Sequence, residues 1–594
     1  QSYLAVFPEH SFMQRLRRAK LTPGEEQDLA STFGDTMVKW ARKEAALEYV
    51  PKLNEKFMKL GKVNVANNKT QEAAKEEIFR RQDFTLSPNY SKETSFFATS
   101  AYNLFLFGNI SSAVVNLSAV PLLTMPLLGG QYGYAKANAA IARAMKVAMP
   151  SMKNLDKDTY TFENLDWTNN DRYSVLKDTL DMYGQREHNM QREILEGAKQ
   201  TAEDYSSGYA KAMNLGSLPF TEAEKYSRAT SAIAAYELAL DAGKSQKVAA
   251  EEAVKLTMDV HTSGIAAEGP GWLQNGFGRV MWTFKTFIWN SASITAQAMN
   301  ASLRGESAEV RKQARKQVLG IYMVSGALAG VNGMPFFGAA ATFANIANAL
   351  LGDDEEPFNA RDLSREFIGD FLFKGPLNYA TNLEISNRVG IANGLLFRED
   401  PYSVEQNGLL MTAVMQSTGP VGSFALNLER NVPKQLERGE YLRAIESMSP
   451  SGLRNLLKTT RFAQEGARTA NGQPIMEDFN GFQLALQSLG FTPAELSNLY
   501  ENRAAALNFQ SKVRTQKQKI LKQYYLGVTT GDRDLQRKAL ADYKAFARNF
   551  PSLVNEDTLT RSFKSRAKSE RELLYGIRFD KNLLPDIEER FFDD

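Results

Sequence analysis

The sequence predicts an all-α protein: an elongated multi-helix assembly with one apolar helical hairpin and little or no sheet. Three observations carry that expectation. Helix-start signals recur along the chain, one long stretch contains neither Pro nor Gly, and alternating period-2 runs are scarce. The start signals are capping boxes at Thr22-Pro23-Gly24-Glu25, Thr221-Glu222-Ala223-Glu224 and Thr492-Pro493-Ala494-Glu495. In each, the Thr hydroxyl accepts from the amide three residues on, and the Glu reaches back to the Thr amide. Pro in the first and third sits where its missing N–H costs nothing. The helix after Thr221 is expected to end at Gly243, with the next running from Ser245 towards His261. Ser497–Gln523 is dominated by good helix formers.

Soft boundaries suggest five parts. These are an N-terminal helical segment at 1–89, a helical domain with a first apolar block at 90–264, and an aromatic helix with an apolar hairpin at 265–352. A helical and loop region follows at 353–463, then a basic helical domain at 464–594. The markers are the polar stretch Pro150–Asn170, the Gly-rich Ile265–Gly278, the acidic Asp353–Pro357 and the loop Gly466–Pro474. The chain starts with Gln and shows no secretory signal, so it is expected to begin inside a longer precursor or to have been trimmed.

Three segments lack Asp, Glu, Lys and Arg altogether: Thr94–Ala135, Gln317–Gly352 and Gln406–Leu428. Blocks of this length suggest a chain that meets a membrane or a large assembly interface. In the second, Gln317–Asn332 and Phe336–Leu351 flank Gly333-Met334-Pro335, which predicts a helical hairpin. Each arm of about 15 residues spans roughly 22 Å, less than the roughly 30 Å hydrocarbon core. A re-entrant or tightly packed hairpin therefore fits better than two spanning helices, and a hairpin buried in a soluble core fits equally. Gly326 and Gly330 form a Gly-x-x-x-Gly pair that permits close approach between helices. Pro335, Phe336 and Phe337 make the elbow. Trp282 and Trp289, seven apart on one helix face, suit either a membrane interface or a core stripe. These seven residues are the membrane or assembly candidates. In the first block, Pro121 and Pro126 argue against one continuous spanning helix and for a buried interface. The third, broken at Gly419-Pro420, reads as core.

The composition excludes several chemistries. There is no Cys, so there are no disulfides, thiolate metal sites or cysteine nucleophiles. The three His, at 10, 188 and 261, show no ligand spacing and read as structural. No phosphate-binding loop, dinucleotide fingerprint, nucleophile elbow or kinase set is present, so no catalytic residue, cofactor or metal is expected. Net charge is only +3, too small to identify a nucleic-acid binder from the bulk. Locally, Asn508–Tyr525 carries Lys512, Arg514, Lys517, Lys519 and Lys522 with no acid. These are the DNA-contact candidates, against the plainer alternative of a solvated helix surface.

The order of several short motifs adds a resemblance. They are Asn116-Leu117-Ser118 with Met125-Pro126 and Gln131-Tyr132-Gly133; Glu222–Ala235 with Asp241-Ala242-Gly243-Lys244; Gly276-Phe277-Gly278-Arg279 with Phe284-Lys285-Thr286-Phe287; Leu351–Pro357; Leu383–Gly390; Gly419-Pro420-Val421-Gly422; and Leu489–Pro493. In this order, over roughly 90–590, the chain resembles the carboxy-terminal region of large internal virion, or ejection, proteins of short-tailed bacteriophages, of the large polyvalent-protein-associated domain type. No counterpart of the lysozyme-like domain of some such proteins is seen, so cell-wall cleavage does not transfer. The resemblance implies a protein packed in the capsid near the portal. After ejection it would assemble in the host periplasm and inner membrane as part of a genome conduit. Its partners would be copies of itself, other ejection proteins and the portal, double-stranded phage DNA and the host inner membrane. The alternative is a portal-associated core protein of the capsid interior with no membrane role.

Overall fold

The computed structural model describes residues 47–63, 69–86, 104–149, 170–183, 207–261, 286–341, 360–384, 419–469, 472–555 and 557–571, with short pieces at 44, 100, 155–156, 161–162, 167, 343–344, 573–574 and 577–578. Among these residues the protein is all-α. Its strands form three two-stranded antiparallel ribbons: β1 (Leu155–Asp156) with β2 (Thr161–Phe162), β3 (Ala467–Arg468) with β4 (Pro474–Met476), and β5 (Leu573–Leu574) with β6 (Ile577–Arg578). The capping box at Thr22, His10, His188, the loop around Gly269-Pro270-Gly271, Trp282, the acidic run Asp353–Pro357 and the third block before Gly419 lie outside the described residues. The chain divides into two compact units. One comprises Gln1–Ala340, Ser364–Glu399 and Asn407–Leu499; the other comprises Ala341–Leu363, Asp400–Gln406 and Tyr500–Asp594.

In the first unit, α1 (Lys69–Leu86) packs on the preceding helical turns through Phe79 against Phe57, ring centroids 5.5 Å apart. The first apolar block then corrects the expectation of a proline break. α2 (Ile110–Leu117) continues through a π-helical turn at Val120–Thr124 into α3 (Met125–Tyr132). The π turn is the physical reason. Pro121 falls in the first turn of this π segment, where its missing N–H is not needed, and the Met125 amide reaches the Val120 carbonyl, so the helical path continues. Ile110–Tyr132 is the segment among the described residues long and apolar enough to cross a membrane by length and composition, at mean hydropathy 1.6, and 56% of it is buried inside the protein. Its packing agrees with the buried-interface reading.

Two cores organise this part of the unit. In α4 (Tyr134–Ala148), Ala137, Ala140, Ile141, Ala144 and Ala148 recur at helical spacing and are buried. They pack with α5 (Ser174–Met182), α6 (Ser207–Asp241) and α7 (Gln246–His261), around Trp167, Tyr173 and Tyr236. Small alanine faces allow these helices to approach closely. The α6 segment from Ser227 to Ala239 is buried on every side, as expected of a central helix. Its Glu237 carboxylate is buried and takes hydrogen bonds from Tyr173 (2.7 Å) and Arg143 (3.1 Å). Burial, then the bond to Glu237, pushes the Tyr173 hydroxyl up to about 12. The second core joins Ala119, Leu122 and Leu123 to Val260 of α7, Ala292 of α8 (Thr286–Arg304), and Ile321 and Ala329 of α9 (Ala308–Ala329).

Helix ends test the capping signals. α6 ends as expected at Gly243, whose φ of +83° closes the turn, and α7 follows. Its start does not fall at Thr221. The helix runs on from Ser207 through Pro219, and Glu224 pairs with Arg228 at 2.9 Å instead of folding back on the Thr221 amide. The capping box that does form, Asn480 with Gln483, opens α16 and was missed.

After α9 come the short helices α10 (Ala360–Ile368), α11 (Asp370–Lys374) and α12 (Pro376–Thr381). Gly330 ends α9 at φ +64°, and a Cβ there would lie 2.3 Å from the Phe373 carbonyl oxygen and 2.4 Å from the Gly375 nitrogen. Gly330→Ala is therefore expected to destabilise by about 1–3 kcal/mol. A Cβ on Gly326 meets only the end of the Met334 side chain, at 3.0 Å. Gly326→Ala should be neutral or up to about 1 kcal/mol stabilising, because Gly disfavours a helix interior. Urea unfolding of the two variants checks this; equal midpoints would refute it.

The rest of the unit comprises α13 (Gly419–Glu437), α14 (Tyr441–Met448), α15 (Ser451–Glu465) and α16 (Gly481–Ser488). Arg461 grips Glu446 with two bonds of 2.9 and 3.1 Å, tying α15 to α14. Phe462 stacks on Phe479 over the β3–β4 ribbon. Backbone bonds from Gly452 to Phe107 (2.9 Å), Gly108 to Gly216 (2.8 Å) and Ser111 to Leu489 (3.0 Å) join α15, α6 and the end of α16 to the start of α2.

α17 (Ala494–Thr530) begins one residue later than the Thr492 box predicts, because Glu495 is engaged by Gln483 at 2.9 Å. It covers the whole of Ser497–Gln523, as expected. The second unit holds its residues from Tyr500 onward, with α18 (Arg533–Asn549) and α19 (Thr558–Arg571). Gly531 at φ +74° turns the chain, and Asp532 caps α18 by accepting from the Asp534 and Leu535 amides. Val513, Ile520 and Phe546 form the core, with Tyr543, Phe550 and Val554 against it. Tyr525 meets Phe563 at 5.1 Å, and Arg566 donates to the Gln518 carbonyl at 3.3 Å, which fixes α19 on α17.

Candidate nucleic-acid interface

Residues 500–571 hold 16 Lys and Arg against 7 Asp and Glu, whereas the whole chain holds 71 against 68. The positive charge is thus concentrated here, and the remainder of the chain is net acidic. Such asymmetry marks a surface for a polyanion more clearly than the bulk charge does.

Helix geometry then sorts the cations. On α18, Arg533, Arg537, Lys544 and Arg548 fall within an arc of about 60° at 100° per residue. All four are exposed, and the buried Ala539 and Phe546 lie on the opposite face. The row runs about 22 Å along the helix. On α19, the exposed Arg561, Lys564 and Lys568 repeat at i, i+3 and i+7 and also share a face. Flexible side chains in rows suit phosphates, which positions a duplex without reading its sequence.

The residues picked out by sequence fare unequally. On α17, Lys512, Lys519 and Lys522 share a face, with Lys519 and Lys522 exposed and Lys512 half-buried. Arg514 is exposed on another face. The Lys517 ammonium donates to the Leu553 carbonyl, which ties the turn Pro551–Leu553 to α17. The α18 row was missed because acids interrupt it in sequence, and the α19 row because acids flank it, Asp557 pairing with the exposed Arg561 at 3.2 Å. Asp532 is a helix cap, and Asp542 lies away from the row. Only Asp534 stands near it, 3.9 Å from Arg537 with both side chains open to water, where such a pair contributes little. The i, i+4, i+11, i+15 spacing was the available signal.

The membrane and assembly candidates belong to the first unit. Gly330, Pro335, Phe336 and Phe337 come together at the C-terminal end of α9. Pro335 is buried, Phe336 adopts φ +63° and packs on the second core, and Phe337 meets Phe373 edge-on at 5.9 Å. Gly326 faces Met334, and Trp289 on α8 is 39% exposed. The Gly-x-x-x-Gly pair therefore serves a helix end and a backbone contact with the α11–α12 turn. The second arm of the expected hairpin is described as helix at 337–341 and again at 343–344; from 345 on it lies outside the described residues.

Among the described residues no three His, Asp or Glu gather into a metal-binding group. Comparison with protein-family models, curated proteins and solved structures finds no match to this chain.

Proposed function

We propose that this chain is an internal virion protein of a short-tailed phage that oligomerises into part of a channel conducting the genome across the host envelope. The observation that supports it most is the concentration of exposed cations in rows on α18 and α19. Rows of this kind hold a duplex by its phosphates and let it move, because every base pair presents the same backbone. The motif order supports the phage setting. No catalytic role is proposed for any residue. The burial of Pro335 and the packing of Phe336 and Phe337 favour a second reading, a portal-associated core protein that keeps its apolar elbow internal.

A salt titration tests the DNA half. The intact chain should bind mixed-sequence duplexes with equal affinity, and that affinity should fall steeply with salt. Replacing Arg533, Arg537, Lys544 and Arg548 by Gln should weaken binding at least tenfold and flatten the log–log slope by about 3–4, near 0.9 for each phosphate no longer neutralised. Affinity indifferent to salt, or unchanged in the variant, would remove DNA from the proposal.

A further inference from the structure

The exposed side of α9 changes character along its length. Lys312, Arg315, Lys316, Leu319 and Met323 fall within about 80–100° of helix surface, forming one stripe. All are exposed, with Leu319 at 59% and Met323 at 65%. The N-terminal half of the stripe is cationic and the C-terminal half apolar. The cationic half edges a shallow depression of about 450 Å³ lined by Ala308, Arg311, Lys312, Arg315, Lys316 and Leu319. Arg311 and Arg315 are anchored there by bonds to the Gly305 (2.6 Å) and Ser302 (3.2 Å) carbonyls. The neighbouring acids, Glu306 and Glu309, precede the cations and lie furthest from the apolar end. At that apolar end, α11 packs against the turn Val331–Gly333 that follows α9 and adds exposed Phe371 and Leu372.

We infer that this stripe docks the chain on an anionic lipid surface, with α9 entering obliquely by its C-terminal end. A soluble partner with an acidic patch would match the cations but leave Leu319, Met323, Phe371 and Leu372 in water. A duplex would do the same. An anionic bilayer matches both halves in one geometry, phosphate headgroups at the depression and acyl chains at the apolar end. From Lys316 to Met323 is about 10 Å along the helix, comparable with the roughly 5–10 Å burial depth of interfacial helices. The apolar part of α9, from Gln317 to Ala329, is about 20 Å long and too short to span a hydrocarbon core of about 30 Å. Docking is therefore interfacial. The inference deepens the proposed function and rests on it for the biological setting, while the surface chemistry stands on its own residues.

Vesicle flotation of the intact chain tests it. The chain should float with phosphatidylcholine vesicles that contain phosphatidylglycerol and much less with phosphatidylcholine alone. Lys312→Glu with Lys316→Glu should cut partitioning about 1,000-fold, given roughly 1 kcal/mol per unit charge near such a surface and a change of four units. Leu319→Ser with Met323→Ser should leave low-salt binding in place but make it fully reversible by salt. Both pairs are exposed, so circular dichroism should be unchanged. Equal flotation with neutral vesicles, no flotation, or no response to either pair would overturn the inference. So would loss of DNA affinity in the charge pair without any vesicle binding, which would assign the stripe to nucleic acid. Failure of the genome-conduit reading has a different signature: no salt-dependent DNA affinity in the intact chain while anionic flotation persists.

Discussion

Lys374→Ala is expected to destabilise the first unit by about 3–5 kcal/mol, because it takes away the ammonium that faces the buried Glu384 carboxylate. Lys374 lies in α11 with its side chain 2% exposed, and its ammonium is 3.4 Å from Glu384, whose side chain is 5% exposed. The same ammonium donates to the Asn498 side chain in the first turns of α17, and Asn378 donates to Glu384 at 2.8 Å. Backbone bonds from Glu384 to Thr492 (3.2 Å) and from Ala494 to Asn382 (3.0 Å) complete the junction. The pair thus fastens α11 and α12 to the start of α17. Its net contribution relative to an apolar pair is small, since two ions were taken out of water to form it. Breaking one side is what costs. Glu384→Gln alone should also destabilise, by removing the carboxylate that faces the buried ammonium at 3.4 Å. Lys374→Met with Glu384→Gln should cost under about 2 kcal/mol, since Gln keeps a carbonyl for Asn378 and neither residue is charged. Urea unfolding of the three variants forms the cycle. Single losses under about 1 kcal/mol, or losses that simply add, would show that the pair is not a coupled buried unit.

Much of the architecture was legible in the sequence, and the failures have physical causes. The all-α class, the Gly243 terminus of α6, the α7 helix and the long α17 follow from local signals that tertiary packing leaves alone. Pro121 misled, because a proline rule written for the interior of an α-helix does not foresee a proline in the first turn of a π segment. Thr221 misled because Glu224 had a stronger partner four residues away in Arg228. Gly330 was marked for close approach between helices, and it makes its close approach as a helix end against a turn. Its partner, the backbone at Phe373–Gly375, is more than 40 residues away and invisible to spacing. For the candidate interface, an acid-free run drew attention to α17, where the Lys517 ammonium donates to the Leu553 carbonyl. The better-aligned rows on α18 and α19 needed angular sorting of mixed-charge helices. The order of cationic and apolar residues along α9 was readable in sequence, but its exposure was not, since an equal stripe turned inward would have been core.

Acid is expected to destabilise the first unit through His261, by about 1.4 kcal/mol per pH unit over a window set by one buried imidazole. His261 ends α7 and is buried against α6 and the π turn. Its Nε2 lies 2.9 Å from the Ser231 hydroxyl, which donates to the Ser227 carbonyl and lies 2.8 Å from the Thr124 hydroxyl. Arg228 donates to the His261 carbonyl at 2.8 Å and pairs with Glu224. Burial first, then the nearby Arg228 cation, lowers the His261 pKa from 6.5 to about 3; Glu224 opposes the shift only in part. The direction for stability follows from proton counts. Between about pH 6.5 and 3 the unfolded chain holds a proton on this residue that the folded chain does not, so stability rises with pH across that window and is lost as pH falls. By pH 4 the loss should be on the order of 3 kcal/mol, a large share of a marginal stability. His261→Gln keeps a side-chain amide for Ser231 and the backbone carbonyl for Arg228, but cannot titrate. Its stability at pH 7 should be lower than that of the parent, and its pH profile from 7 to 4 should be flatter by the slope given. Urea midpoints at matched ionic strength measure both curves. Parallel curves would mean that folding does not lower the His261 pKa, and that acid sensitivity, if present, comes from carboxylates.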